Sequence, residues 1–175
     1  MQFNVASLLK GPVGVTQRHR LDEASLSLDD AQAERVWGHV TLMRVNDGIW
    51  ASGEFRASVT CTCSRCLQPY GVTLRFPFEE TYYPSLDINT GVARSLPKEA
   101  EADAAIDHHH ILDISEAVRQ DIILATPMKP LCRANCAGIC SRCGRDLNHS
   151  SCTCPKEVED PRWSPLLDML SHRKT

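Results

Sequence analysis

Six cysteines fall within the 23 residues from Cys132 to Cys154, and their spacing limits the folds open to this 175-residue chain more than any other feature. They run Cys132-x3-Cys136-x3-Cys140-x2-Cys143-x8-Cys152-x-Cys154, and three more precede them as Cys61-x-Cys63-x2-Cys66. The tetrapeptide Cys-Ser-Arg-Cys occurs twice, at 63–66 and 140–143. Two sulfurs at this spacing sit on one tight turn. A following glycine such as Gly144 lets backbone N–H groups approach the thiolates, and two such pairs close a tetrahedral Zn2+ site. Loop closure favours Cys140, Cys143, Cys152 and Cys154 as one set, because the intervening 145–151 loop is short and polar. Cys63, Cys66, Cys132 and Cys136 then make a second set, tying the middle of the chain to its C-terminal segment. The spacing also allows the two Cys-Ser-Arg-Cys turns to share one ion, leaving Cys132, Cys136, Cys152 and Cys154 for the other. One or two structural zinc ions are the expected cofactor.

Competing uses of the thiols fit less well. The opening stretch from Phe3 to Leu9 is broken by Asn4 and Ser7, and no apolar run approaches the ~18 residues that span a bilayer. The expected compartment is therefore the reducing cytoplasm, where clustered thiols bind metals more often than they pair. Nine is also an odd number. A redox Cys-x2-Cys calls for a βαβ context that the sequence does not supply, and the polar loops between pairs favour zinc over an iron–sulfur cluster. Cys61 has the parity of an apolar strand face and reads as a small buried hydrophobe. His149, between two cysteine pairs, is an alternative ligand. His108-His109-His110 reads as a solvated turn, since contiguous side chains do not converge on one ion.

Apolar alternation predicts an antiparallel meander. Val36, Val40 and Leu42 lead to the turn residues Asn46-Asp47-Gly48. Ile49, Ala51, Gly53, Phe55, Ala57, Val59 and Cys61 then share one parity, and Val72, Leu74, Phe76 and Phe78 continue the pattern. Ile114, Ala117, Val118 and Ile122 fall at helical spacing before Pro127, with Asp113 and Glu116 placed as in a capping box. Leu166, Leu167 and Leu170 suggest a short helix over 164–171. The expected fold is α+β: an antiparallel, barrel-like meander, one or two helices and a cysteine-rich C-terminal zinc element. The expected divisions are 1–85 for the N-terminal segment and sheet, 86–112 for an acidic linker, 113–127 for the helix and 128–175 for the zinc element.

The formal charge of −3 is unevenly spread. Residues 86–126 carry 3 Lys/Arg against 8 Asp/Glu, and residues 127–175 carry 8 against 5. Each ion held by four thiolates would offset two of those C-terminal cations, so bulk charge says little about nucleic acid. Arg133, Arg142, Arg145, Arg162, Arg173 and Lys174 are the candidates for phosphate contact. Trp37, Trp50 and Trp163 read first as core or interface anchors. Closed tetrathiolate sites leave no open coordination position, and no nucleophile elbow, phosphate loop or His-Glu-x-x-His motif is present. A non-enzymatic protein with no small-molecule substrate and no membrane association is expected.

Several elements together resemble the YceD family, the large ribosomal RNA subunit accumulation proteins. They are Phe3-Asn4-Val5-Ala6-Ser7-Leu8-Leu9-Lys10 with Gly11-Pro12-Val13-Gly14, then Cys63-Ser64-Arg65-Cys66-Leu67-Gln68-Pro69-Tyr70. Ile114 to Pro127 resembles the family's helix, and the run from Cys136 through Cys143-Gly144-Arg145-Asp146-Leu147-Asn148 its cysteine element. The resemblance implies a part in the synthesis, processing or accumulation of 23S rRNA, with precursor 23S rRNA or large-subunit ribosomal proteins as partners. It implies no catalytic activity. The alternative is a zinc-ribbon adaptor that recruits a protein and does not touch RNA.

Overall fold

The computed structural model describes residues 1–154 except 24, 29–31, 99 and 101, together with residues 162 and 169. The expected helix over 164–171, Trp163, Arg173 and Lys174 lie outside the described residues. The chain divides into two compact units, residues 1–64 with 68–132 and residues 65–67 with 133–175.

The first unit is an α+β structure. Its strands are β1 (Gln2–Asn4), β2 (Thr16–Glu23), β3 (Leu26–Ser27), β4 (Gln32–Arg44), β5 (Ile49–Thr62), β6 (Pro69–Pro84), β7 (Ala105–Ile106) and β8 (Ile111–Asp113); its helices are α1 (Ala6–Lys10) and α2 (Ser115–Ala125). The main sheet has the order β2-β4-β5-β6-β7, with β3 also on β4, and β1 pairs separately with β8. All pairings are antiparallel except β6 with β7. The sheet does not close into a barrel.

The long central hairpin follows from the alternation in the sequence. Inward residues Ile49, Ala51, Phe55, Ala57, Val59 and Cys61 of β5 are buried, as are Leu74, Phe76 and Phe78 of β6, and their burial drives the pairing from Ile49↔Tyr82 to Thr62↔Pro69. Phe55 meets Phe78 edge to face at 5.4 Å between ring centres. Pro77 is accommodated in β6 because β7 pairs β6 only at Tyr83 and Pro84, leaving the strand an open edge at Pro77. Helix α2 buries Val118 and Ile122, and α1 buries Leu8 and Leu9.

Two local expectations are corrected, and one strand is added. The capping box does not form: Ile114 is the N-cap of α2, the Glu116 carboxylate accepts from Arg119 and Gln120, and the Asp113 carboxylate accepts from the Ser115 N–H at 2.8 Å. Strand β2 was not anticipated, because Gln17 to Glu23 is polar at nearly every position; as the edge partner of β4 it buries only Leu21. The stretch 86–112, read as an acidic linker, is exposed from 89 to 95, yet its end supplies β7 and β8 and places Ile106 and Leu112 in the core.

Between residues 133 and 154 the second unit is built of turns. Ile139 and Asp146 form an antiparallel bridge, and the Leu147 N–H donates to the Gly138 carbonyl at 2.9 Å.

Candidate metal centre

The two Cys-Ser-Arg-Cys elements take the same turn. The Cys63 N–H donates to the Gln68 carbonyl at 3.0 Å, and the Cys140 N–H donates to the Arg145 carbonyl at 2.8 Å. In each the residue after the second cysteine enters the left-handed region, Leu67 at φ 60° and Gly144 at φ 69°. Glycine adopts that conformation freely, whereas leucine does so at a steric cost. The turn brings two sulfurs of one tetrapeptide to the same side, which is what a bidentate thiolate pair needs.

The sulfurs gather in two groups of four: Cys63 with Cys66, Cys132 and Cys136, and Cys140 with Cys143, Cys152 and Cys154. Within each group the ligand atoms lie within 4.8 Å of one another. Four sulfurs placed 2.3 Å from one ion are separated by about 3.8 Å, so both groups match the reach of a tetrahedral zinc site. The division that pairs the two Cys-Ser-Arg-Cys turns with each other does not occur.

The surroundings of the sulfurs also suit a cation. Backbone N–H groups of Cys143 and Arg142 donate to the Cys140 sulfur and draw its pKa down to about 6, with Cys152 and Cys143 adding hydrogen bonds. The Cys154 thiol donates to the sulfur of Cys143 and is pushed up to about 12, burial and the neighbouring negative sulfurs adding to the effect. Clustered thiolates repel one another and keep a proton among them, and a divalent ion relieves that repulsion. In the first group Asn148 Nδ2 approaches Cys136 Sγ at 3.4 Å.

Asn148 was not singled out from the sequence as a working residue. Its Oδ1 accepts from Arg133 Nη2 at 2.6 Å and from the Ala137 N–H at 2.9 Å, while its Nδ2 also reaches Asp146 Oδ1 at 2.7 Å. It fixes the loop that presents Cys136, as outer partners of metal ligands do. The available signal was Asp146-x-Asn148, a turn pattern in which the Asp146 carboxylate accepts from the Asn148 N–H at 2.8 Å. Arg65 Nη1 donates to the Cys136 carbonyl at 3.0 Å, and the Ile139 N–H donates to the Arg65 carbonyl at 3.1 Å. Gly138, at φ 76°, lets that approach happen, since a Cβ there would stand 3.1 Å from the Arg65 oxygen.

Cys61 belongs to neither group. It is buried in the sheet core, and burial raises its thiol pKa. His149 is outside both groups and approaches Asp146 at 3.8 Å. His108 and His109 are exposed on a turn held by Asp107, whose carboxylate accepts from the His109 and Ile111 N–H groups. Of the candidate phosphate contacts, Arg142 and Arg162 are exposed; Arg133 is bound to Asn148, and Arg145 donates to the Ser151 carbonyl at 3.1 Å.

A mostly antiparallel open sheet accompanied by two four-cysteine groups, each able to hold a metal ion, defines an α+β protein with a candidate metal centre. The family model described as large ribosomal RNA subunit accumulation protein YceD matches residues 51–170, and the chain belongs to that family. A large ribosomal RNA subunit accumulation protein YCED homolog 1 of maize chloroplasts is 31% identical over 137 residues, covering 65% of this chain and 46% of the maize protein. Its Arabidopsis thaliana counterpart is 26% identical over 147 residues, covering 73% of this chain and 46% of its own. An uncharacterized protein of Mycobacterium tuberculosis is 27% identical over 127 residues, covering 72% and 58%. The chain thus spans about half the length of these relatives. No solved structure matches. Among the described residues no helix is long and apolar enough to cross a membrane.

Proposed function

We propose that this protein is a non-enzymatic, cytoplasmic ribosome-biogenesis factor that promotes accumulation of the large ribosomal RNA, 23S rRNA, with structural zinc. The observation that carries this reading is the family match over residues 51–170. The two groups of four sulfurs support the zinc part of it. Cys140, Cys143, Cys152 and Cys154 would hold one ion, and Cys63, Cys66, Cys132 and Cys136 the other. Zinc bound by four thiolates supplies folding energy and no reactive position. It substitutes for apolar burial between residues 133 and 154, where the turns have little core of their own. Precursor 23S rRNA or large-subunit ribosomal proteins are the partners, with Arg133, Arg142, Arg145 and Arg162 as the candidate phosphate contacts among the described residues.

The test is sedimentation of cell extract with detection of the protein across the gradient. Co-migration with large-subunit precursors is expected, together with a loss of 23S rRNA when the gene is removed. Absence from precursor fractions overturns the reading.

One observation favours a protein-recruiting adaptor instead. An apolar depression of about 520 Å3 in the first unit is lined by Leu28, Val59, Ile123, Pro127 and Met128, the last fully exposed. Capture of precursors that persists at high salt supports the adaptor, because phosphate contacts weaken steeply with salt and apolar ones do not.

A further inference from the structure

The main sheet leaves one face to solvent, and that face is neither bland nor evenly charged. Four adjacent strands contribute to it. Register puts Arg20 of β2 beside His39 of β4 and Glu54 of β5, and in the next rung Asp22 beside Trp37 and Arg56. Arg75 of β6 extends that rung opposite Arg56. An open depression of about 570 Å3 lies here, walled by Arg18, Arg20, Trp37, His39, Glu54 and Arg56. Gly38 and Gly53 contribute only backbone to its floor, since both hold the inward parity of Val36, Val40, Ala51 and Phe55. A Cβ on either would stand 2.3 or 2.1 Å from a carbonyl oxygen of the neighbouring strand, so glycine is required for the strands to approach this closely.

The acids on this face are already engaged. Asp22 forms a two-pronged pair with Arg35 at 2.8 Å for each contact, and Glu54 pairs with Arg75. Asp22 also feels Arg20, and Glu54 feels Arg56, at longer range. Arg18, Arg20 and Arg56 are exposed and form no ion pair among the described residues. The Arg35 guanidinium lies 5.4 Å from the centre of the Trp37 ring, fixing the indole at the depression's wall. Exposed arginines around a half-buried, oriented indole on an open antiparallel sheet combine the two components of single-strand recognition: cations for the backbone and a π-face for a base.

We propose that this sheet face, and not the cysteine-rich element alone, binds a single-stranded segment of RNA, with Arg18, Arg20 and Arg56 on phosphates and Trp37 stacked on a base. The proposal rests on the reading of ribosomal RNA as the partner and names where on the chain that partner is held. Elongated polyanions without bases satisfy the arginines but leave the indole unused, which separates RNA from an acidic protein segment.

The experiment measures fluorescence anisotropy of a labelled 12-nucleotide oligoadenylate RNA with the full zinc-loaded chain, across a salt series, with polyglutamate as competitor. Replacing Arg18, Arg20 and Arg56 together by Gln is expected to lower the salt slope by about 2 and the affinity by about 100-fold near 0.1 M salt, since each single-strand phosphate contact contributes roughly 0.7 to the slope. Trp37→Ala is expected to weaken binding by about tenfold or more, whereas replacing the exposed Arg94, far along the chain from this face, by Gln leaves most of it. Ultraviolet cross-linking of the same RNA to the unaltered chain, followed by peptide mapping, is expected to mark the peptide containing Trp37 and does not depend on how any variant folds. If the triple variant and Trp37→Ala bind as well as the parent, or if polyglutamate competes as well as RNA, the sheet-face proposal is overturned while the biogenesis reading stands. If the parent chain binds no RNA but still sediments with large-subunit precursors, the sheet-face proposal again fails, and the wider reading survives through a protein partner.

Discussion

Leu67 occupies the left-handed position of the first cysteine turn, where the second turn has Gly144. A side chain there costs about 1–2 kcal/mol, and Leu67 recovers little by packing because it is 60% exposed. Glycine would relieve the strain but gain freedom in the unfolded chain. Leu67→Gly is therefore expected to stabilise the zinc-loaded protein by about 0.5–1 kcal/mol, read as a shift in the urea unfolding midpoint. No shift, or a loss, would show that the leucine makes contacts that outweigh its backbone strain. Cys61 shows the opposite kind of residue. It is a thiol whose position on the inward parity of β5 makes it core, with burial raising its pKa away from ligand chemistry.

At the scale of elements, the two cysteine groups differ in access although their turns match. Cys63, Cys66 and Cys136 are buried and Cys132 is half-buried, whereas Cys143 is exposed and Cys140, Cys152 and Cys154 are half-buried. A chelator reaches the second group more readily. Zinc-loaded protein treated with a coloured chelator is expected to release metal in two phases of about equal amplitude, the faster one absent in Cys143→Ser. A single phase, or loss of the slower one in that variant, would contradict the assignment. Physical access sets the order, since closed zinc sites with the same ligands have similar intrinsic chemistry.

For the whole first unit, Asp113 links the start of the chain to α2. Its carboxylate accepts from the Gln2 amide at 2.9 Å and from the Ser115 N–H at 2.8 Å, and it lies 3.3 Å from the Met1 ammonium, which also bonds Ser115 Oγ. Partial burial acts to raise its pKa, but hydrogen bonds from Ser115 and Gln2 and the ammonium outweigh that and hold it at about 2. An acid depressed in the native state stabilises the fold above its ordinary value near 3.8 and loses that contribution as pH falls through 2. Asp113→Asn is expected to cost about 1 kcal/mol near neutral pH, allowing for solvent screening. The gap should narrow below about pH 4 and close near pH 2. A gap independent of pH would mean that shape, not charge, makes the link.

Much of this was legible in local patterns, because period-two burial and thiol spacing are written in neighbouring residues. The alternation of β5 and β6, the helical spacing around Val118 and Ile122, and the cysteine pairs all belong to that class. Strand β2 was not legible, since an edge strand with a solvent face needs few apolar residues and Gln17 to Glu23 offers almost none. The partners of Asp113 and the grip of Asn148 on the Cys136 loop depend on residues distant in the chain or on side-chain direction, which periodicity does not encode. The same holds for the sheet face. Arg20, Trp37 and Arg56 are unremarkable in sequence and become a site through strand register, because antiparallel pairing sets residues from three strands side by side. Residue chemistry and short spacing thus specified the cysteine pairs and the central hairpin; long-range pairing specified which groups meet, because the free energy of bringing them together comes from burial across the whole sheet.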